Sequence, residues 1–454
     1  MTPPFSPTQR PVVQDVLASP GFRRYFANTS WMMGEKAIRM GVNFLVGIFI
    51  ARRLGPGGYG LLSYGLSVVA LFGIVSSLGL DEIIVRNLVR DPLRKDGTLG
   101  TGLGLRIAGA VLVLVLAPSF SFLVAPDRES LLVVLILAFG PFFQSFALID
   151  FFFQSQVQAR DSSIALGGAF ALASLFKVAL LLANAHVLWF AAAYLSENVA
   201  MAAAFAVMYK RRGNRISRWE FHRKEALALL RDAAPMIFSG FLAMVYSRID
   251  QVMIKSMLGS DAVGNYSVAV AMTEAWQVVP FVLTASLFPA IIGAKRDHER
   301  VFHGRMYQLY GFLLWASVAL ALPVCLASGW IIGILFGAAY KPSGPALSIL
   351  IWNCVFIFLH YANAKWIVTE NMQRIWLLIS PAGCLINVTG NLLLIGRYGI
   401  AGAAVATLLT QFVTSHLAFA FSRKTFPLFA THWKALLMPL ILVRDFRSKA
   451  GKSM

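Results

Sequence analysis

The sequence predicts an all-α integral membrane protein with about twelve transmembrane helices, divided into two halves of six. The first observation is composition, because 58% of the 454 residues are apolar, 13% are charged and the mean hydropathy is +0.68. Soluble globular proteins carry about 25% charged residues, and a single soluble core cannot hold this excess of apolar side chains. The second observation is a series of long apolar runs, and the third is an internal sequence repeat.

A helix that crosses a bilayer needs about 20 mostly apolar residues. The chain contains runs of this length in both halves, six in each. They lie near 28–51, 61–80, 99–125, 130–157, 162–183, 186–209, 230–255, 263–292, 308–336, 344–368, 375–396 and 400–422.

The basic residues predict the orientation of these spans. With a cytoplasmic N-terminus, most of the 40 Lys and Arg lie in cytoplasmic segments, where they face anionic lipid headgroups. The external loops then hold six of them, namely Arg52, Arg53, Arg128, Lys255, Lys341 and Arg397. We therefore predict a multi-pass protein of a prokaryotic plasma (inner) membrane with both termini cytoplasmic. The net charge of +19 is assigned to contact with membrane lipids, and not to nucleic acid.

A hydrophilic stretch, KRRGNRISRWEFHRK at 210–224, separates the two halves. The predicted organisation is a cytoplasmic tail (1–27), an N-terminal six-helix bundle (28–209), a basic linker (210–229), a C-terminal six-helix bundle (230–422) and a second cytoplasmic tail (423–454). The halves share a short repeat, since LGPGGYGLLS at 54–63 aligns with LGSDAVGNYS at 258–267, an offset of 204 residues. Two like-oriented halves are the layout expected of an alternating-access transporter.

Five segments, in order along the chain, carry a resemblance to a known family. They are ARRLGPGGYG (51–60), SLGLDEIIVRNLVR (77–90), YSRIDQVMIKSMLG (246–259), VGNYSVAVAMTEAWQVVP (263–280) and YGIAGAAVAT (398–407). Together they resemble the polysaccharide repeat-unit flippases of the multidrug/oligosaccharidyl-lipid/polysaccharide exporter superfamily. The resemblance implies two six-helix bundles around a central cavity. It also implies translocation of polyprenyl-pyrophosphate-linked oligosaccharide repeat units to the external leaflet, with other polysaccharide-assembly proteins as partners.

Charged residues inside the spans are the candidate site, because each costs at least about 2.5–3.5 kcal/mol in lipid. Arg39 and Glu35 lie four residues apart and share a helix face, which permits either a structural ion pair or a pyrophosphate contact by Arg39. Arg248 is the second candidate phosphate contact, with Glu274 as its nearest balancing carboxylate, and a purely architectural bridge is the alternative. Lys36 and Arg106 complete the basic candidates.

Acidic and amide residues supply the remaining candidates. Asp250 and Glu274 are predicted to load a coupling proton or sodium ion, because a carboxylate in a low-dielectric cavity takes up a proton more readily. Asp150 and Gln154 lie four residues apart in LIDFFFQSQ and are candidate sugar contacts. The simpler interpretation of this stretch is that its three Phe side chains face lipid tails.

No cofactor or metal is predicted, since the cysteines and histidines match no ligand spacing. A membrane-embedded polymerase or ligase is disfavoured by the short external loops, none of which exceeds about a dozen residues. A multidrug exporter and a lipid II flippase of the same superfamily stay open as alternatives.

Overall fold

The computed structural model describes residues 20–297 and 299–438. Throughout these residues the chain forms helices and turns, and no strand is present. Short 3₁₀ turns join several of the helices. The α-helices are α1 Pro20–Ser77, α2 Asp81–Arg90, α3 Lys95–Val124, α4 Arg128–Ala138, α5 Gly140–Gln144, α6 Leu148–Ser155, α7 Ala159–Leu182, α8 Val187–Arg211, α9 Arg223–Leu258, α10 Ser260–Glu274, α11 Val278–Asp297, α12 Glu299–Leu326, α13 Ser328–Phe336, α14 Ser343–Leu350, α15 Asn353–Thr369, α16 Trp376–Ser415 and α17 Phe426–Leu436.

Ten helical stretches in the described part of the chain are long and apolar enough to cross a membrane. Two of them, Met33–Arg90 and Gln373–Phe421, span 58 and 49 residues, which is more than twice the length of about 20 residues that one crossing needs. Each reverses direction at a glycine with positive φ, Gly55 in α1 and Gly399 in α16. Counting both arms of each hairpin gives the predicted twelve crossings, and the all-α membrane fold is confirmed.

Small residues hold the two arms of α16 together. A methyl group at Gly390 would lie 3.0 Å from the Cβ of Ala406, and one at Gly402 would overlap the carbonyl oxygen of Leu394. Pairs of residues on either side of Gly399 therefore face each other across an antiparallel hairpin. Gly402 and Ala406 of YGIAGAAVAT thus permit this close helix packing.

The two copies of the sequence repeat pack against each other. Gly55 and Gly259, 204 residues apart, share a positive φ of 67° and 86° and an extended ψ. A methyl group at Gly60 would overlap the carbonyl oxygen of Ser260, and one at Gly264 would overlap that of Pro56. Because 60 and 56 correspond to 264 and 260, the contact is reciprocal, as at a two-fold axis.

We call the end of the bundle that carries Gly55, Gly259 and Gly399 the turn face. The opposite end, which carries the connection between α8 and α9, is the terminal face. The connection covers residues 212–222, shorter than the predicted linker 210–229, because the flanking helices extend into its basic ends.

Two predicted boundaries change at the C-terminal side. The span 308–336 is divided between α12 and the short α13. The predicted tail 423–454 contains α17, whose Ala435 is fully buried against α12. Residues 439–454 and the first 19 residues of the N-terminal tail lie outside the described residues.

Candidate substrate and coupling-ion sites

A polar cavity of about 400 Å³ opens within the N-terminal bundle, between both arms of α1 and helices α3, α5, α7 and α8. Its charged and amide lining comprises Arg39, Asp81, Arg106, Gln144, Glu197 and Asn198. Phe151 and Phe170 contribute an aromatic wall. A neighbouring space of about 450 Å³ shares Gln144, Glu197 and Asn198 with it, so the polar groups line both.

Arg39 and Arg106 bring two guanidinium groups to this cavity, and each is paired. Arg39 Nε lies 3.0 Å from Glu35 Oε1, as the four-residue spacing predicted, and the arginine side chain is 36% exposed. Arg106 is buried and donates to the carboxylate of Asp81, which follows the α1 hairpin. The sequence offered Arg106 no partner, because Asp81 is 25 residues away and reaches it through the fold.

Lys177 and Glu197 form a second pair that the sequence did not predict. The distance from Lys177 Nζ to Glu197 Oε2 is 2.7 Å, and the lysine side chain is 1% exposed. The ammonium group also lies 3.9 Å from the ring centroid of Tyr194. Glu197 lines the cavity, so this pair ties the cavity wall to the packed interior between α7 and α8.

Asp150 and Gln154 contact each other, as their spacing predicted. Gln154 Nε2 donates to Asp150 Oδ2 at 3.0 Å, and Ser162 donates to the other carboxylate oxygen. The interpretation that the neighbouring Phe side chains face lipid is wrong. Phe151 and Phe152 are 9% and 8% exposed and Phe153 is fully buried, because α6 is short and packs against α2 and α7.

Arg248 and Glu274 meet across α9 and α10. Arg248 Nη2 lies 3.2 Å from Glu274 Oε1, with side chains 31% and 42% exposed. Glu274 is thus the carboxylate that balances Arg248, as predicted. Both side chains are partly exposed, so neither charge is fully enclosed by protein.

Asp250 has a different environment from Glu274, although both were predicted to take up the coupling ion. Asp250 is 3% exposed and accepts hydrogen bonds from Tyr266 at 2.5 Å and from Thr407 at 3.4 Å. The backbone N–H of Gln251 donates to it at 2.8 Å. The two carboxylates therefore differ: Asp250 is buried and bonded only to uncharged donors among the described residues, whereas Glu274 is partly exposed and paired with Arg248.

Lys36 forms no ion pair within 4 Å among the described residues, although its neighbour Glu35 is close enough to interact with its charge. Its Nζ sits 4.0 Å from the ring centroid of Phe281 on α11, so it faces the C-terminal bundle. Arg39, one turn further along α1, faces the N-terminal cavity instead. The two basic candidates of the first span therefore belong to different surfaces.

The turn face is closed by polar contacts between the halves. Lys255 Nζ lies 3.0 Å from Asp127 Oδ2, and Ser67 donates to Gln251 Oε1 at 2.6 Å. Asp127 lies in the loop between α3 and α4. Burial raises the pKa of its carboxyl, but hydrogen bonds from Ser130 and Lys255 outweigh this and leave its pKa below the ordinary value of 3.8.

A buried network in the C-terminal bundle was also missed by the sequence. His416 Nδ1 and His432 Nδ1 lie 3.0 Å apart, and His432 Nε2 lies 3.0 Å from Asn363 Oδ1, which also accepts from Tyr310. The network joins α17 to the spanning helices. Within residues 20–297 and 299–438, no group of three or more His, Cys, Asp or Glu residues is arranged to hold a metal ion.

Comparison with known proteins adds a family match. The model of the family described as "Polysaccharide biosynthesis protein" matches residues 25–294. A "Probable flippase AglR" of Haloferax volcanii is 27% identical over 185 residues, 38% of this chain. The match spans 37% of that relative, a little over a third of its length.

Solved structures share the fold across most of the chain. The "Lipid II flippase MurJ, inward closed conformation" superimposes with a TM-score of 0.70 at 12% identity, covering 90% of this chain and 92% of that one. An inward-facing multidrug resistance MATE family transporter gives 0.69 at 15% identity, covering 83% and 92%. The fold is therefore shared with a lipid II flippase and with a multidrug transporter, and it does not choose between their cargoes.

Proposed function

The chain belongs to the polysaccharide biosynthesis protein family, and on that premise we propose that it is a flippase for polyprenyl-pyrophosphate-linked oligosaccharide repeat units. It moves them from the cytoplasmic to the external leaflet by alternating access, for surface polysaccharide biosynthesis. The observation that carries the proposal is the polar cavity among the spanning helices, which is lined by two guanidinium groups, two carboxylates and two amides. Lipid tails need no such groups, whereas a pyrophosphate sugar does.

The paired arginines suit an anionic cargo that must be released again. Arg39 contacts Glu35 through Nε and is 36% exposed, so its guanidinium group is not fully enclosed by that contact. A pyrophosphate binds such a group with two parallel hydrogen bonds, and the carboxylate replaces it when the cargo leaves. Arg248 acts in the same way through exchange with Glu274. Asn198 and Gln144 in the cavity supply hydrogen bonds for sugar hydroxyls, and the Asp150–Gln154 pair, which lies outside the cavity lining, stays a further candidate sugar contact.

Asp250 is the proposed coupling-ion site. It is buried, it has no cationic side chain within ion-pair distance in the described part of the chain, and Tyr266 and Thr407 tie it to α10 and α16. Loading of a proton or sodium ion there changes the charge at a contact between spanning helices. Glu274 instead exchanges between Arg248 and solvent, and controls access to the arginine.

The orientation proposed for the protein places the terminal face in the cytoplasm of a prokaryotic plasma membrane. The positive-inside distribution supports it, since the connection between α8 and α9 and the segment after α16 are rich in Arg and Lys. The closed turn face is external in this orientation, which suits uptake of cargo from the cytoplasmic side.

Deletion of the protein tests the function directly. Mass spectrometry of lipid-linked intermediates is expected to show complete carrier-linked repeat units accumulating, while polymer disappears from the cell surface. Normal intermediates with normal polymer would contradict the proposal. Increased sensitivity to lipophilic cations in the same cells would instead indicate multidrug export, and accumulated lipid II would indicate the peptidoglycan precursor.

Substitution of the arginines tests the phosphate contacts. Arg248→Ala is expected to abolish surface polymer, and Arg248→Lys to retain part of it, because the ammonium keeps the charge and loses the planar fork. Arg39→Ala and Arg39→Lys are expected to behave likewise. Arg397→Ala, an exposed arginine at the turn face, is the matched control. Full export by a correctly inserted Arg248→Ala protein would remove that residue from the site.

A further inference from the structure

Lys36 and Lys365 differ from the four cations Arg39, Arg106, Lys177 and Arg248. Arg39, Arg106, Lys177 and Arg248 each have a carboxylate within 4 Å. Across residues 20–297 and 299–438, no described ion pair involves Lys36 or Lys365, and each lysine instead faces a phenylalanine ring. A ring face attracts and positions an ammonium group, but leaves its charge in place.

The two lysines belong to one cluster between α1, α11 and α15. Lys36 Nζ lies 4.0 Å from the ring centroid of Phe281, whose edge meets Tyr361 with 6.5 Å between centroids. Lys365 Nζ lies 4.8 Å from the ring centroid of Phe288. Tyr361 and Lys365 are four residues apart, and Phe281 and Phe288 are seven apart. Each pair therefore shares one helix face.

The cluster has two levels along α11. This helix runs from α10, near the turn face, towards the terminal face, so Phe288 lies two turns beyond Phe281. Two turns correspond to about 10 Å. Lys365, beside Phe288, is therefore closer to the terminal face, and Lys36, beside Phe281, lies deeper in the bundle.

The lack of an ion pair at Lys36 and Lys365 among the described residues favours binding of an anion beside them. An uncompensated cation on a spanning helix is unfavourable unless an anion or water reaches it. A phosphate carried by a lipid arrives at headgroup depth with its chain still in the hydrocarbon, and apolar rings beside the cation suit that chain. The carboxylate-paired arginines of the cavity have no such unmet charge.

We propose that Lys365 and Lys36, mounted on Phe288 and Phe281, form a loading site for the phosphate groups of a polyprenyl diphosphate at the terminal face. The lipid diphosphate meets Lys365 first and then Lys36, from which Arg39 lies one helical turn away on α1. This inference rests on the proposed function and assigns it an entry site distinct from the cavity.

Binding of undecaprenyl diphosphate to the full-length chain in phosphatidylcholine nanodiscs tests the proposal, with undecaprenol and inorganic pyrophosphate as comparison probes. The double variant Lys36→Gln/Lys365→Gln is expected to bind undecaprenyl diphosphate at least tenfold more weakly, equivalent to about 1.4 kcal/mol. Lys36→Arg/Lys365→Arg keeps both charges and is expected to stay within about threefold of the wild type. Lys341→Gln, at the opposite face, is the matched control and is expected to bind normally.

The outcomes separate this inference from the function beneath it. Wild-type protein that fails to bind undecaprenyl diphosphate would contradict the proposed function itself. Wild-type binding with equal binding by the folded Gln double variant would overturn the loading site alone. Equally weakened binding of undecaprenol by the Gln double variant would also overturn it, because the lysines would then support the lipid chain and not its phosphates.

Two further outcomes concern the probe and the variant. If inorganic pyrophosphate binds as tightly as undecaprenyl diphosphate, the site belongs to a soluble anion and the loading site is overturned. If the double variant does not fold, Lys365→Gln alone is compared with Lys365→Arg under the same criteria.

Discussion

The turn face and the polar cavity are built on opposite physical principles. At the turn face the halves meet through backbone, where Gly60 touches Ser260 and Gly264 touches Pro56. In the cavity the walls stay apart, and charged side chains are held by pairing, as in Glu35–Arg39 and Lys177–Glu197. Close backbone contact therefore dominates the turn face, with the Lys255–Asp127 pair beside it, whereas the cavity depends on paired charges.

The difference teaches how one membrane protein can close firmly at one end and remain polar at the other. Backbone contact excludes water and lipid without adding charge, and it depends on side chains being absent. Paired charges keep a space hydrated, and they can exchange their partners for a cargo. Breaking each arrangement separately should thus give different defects.

Gly60→Ala should break the seal and produce the largest effect. The added methyl group overlaps the carbonyl oxygen of Ser260, which is backbone and cannot rotate away. We expect surface polymer to fall at least tenfold, and a cysteine placed at Ser67 to react faster with a membrane-impermeant thiol reagent. Cys325, Cys354 and Cys384 are first replaced, so that the reagent reports one site.

Gly47→Ala provides the control for that variant. It lies in the same helix, and a methyl group there meets nothing within 4 Å. Export and thiol reactivity are expected to stay at wild-type levels. Wild-type export by Gly60→Ala would show that the seal tolerates a side chain, and the steric interpretation of the turn face would fail.

Glu197→Gln should weaken the cavity wall by an intermediate amount. It leaves the ammonium group of Lys177 buried without its carboxylate, which typically costs about 3 kcal/mol. Asp232→Asn removes the partner of Arg86 in an exposed pair, with side chains 54% and 58% exposed, and should cost less than about 1 kcal/mol. Unfolding in detergent measures both, and equal losses would contradict the contrast between buried and exposed pairs.

The Lys255–Asp127 contact should give the smallest effect, and one that depends on pH. Because the folded-state pKa of Asp127 is depressed below 3.8, its contribution is present above that value and is lost as the pH falls through the folded pKa. Asp127→Asn should therefore be destabilised by less than about 1 kcal/mol at pH 7. The difference from wild type should disappear once the pH falls below the folded-state pKa of Asp127, which lies under 3.8. A difference that grows on acidification would have the wrong sign.

Local patterns allowed the sequence to predict much of this fold. Apolar length defined the spans, and hairpin turns followed from glycine-rich repeats such as LGPGGYG. Contacts within one helix were equally predictable, because residues four apart always share a face, as with Glu35–Arg39 and Asp150–Gln154. The pairing of Arg248 with Glu274 was reached by charge balance between neighbouring helices.

Predictions failed where position around a helix decided the outcome. Phe151, Phe152 and Phe153 read equally well as lipid-facing or core residues, since both environments are apolar, and the packing of the short α6 made them core. The pair His416 and His432 was hidden because α17 folds back onto α12. Sequence spacing within one helix does not predict the contact of His416 with His432, because a turn after α16 separates the two residues.

By itself, the sequence determined that this chain crosses a membrane about twelve times in two related halves, because burial of apolar residues depends on composition and run length. The tertiary structure alone decided which charges meet. Arg106 with Asp81, Lys177 with Glu197, and Lys36 with a ring in place of a carboxylate all depend on the packing of helices distant in sequence. Electrostatic energy varies with distance and burial at the scale of a few ångströms, and only the packed helices set distances that short.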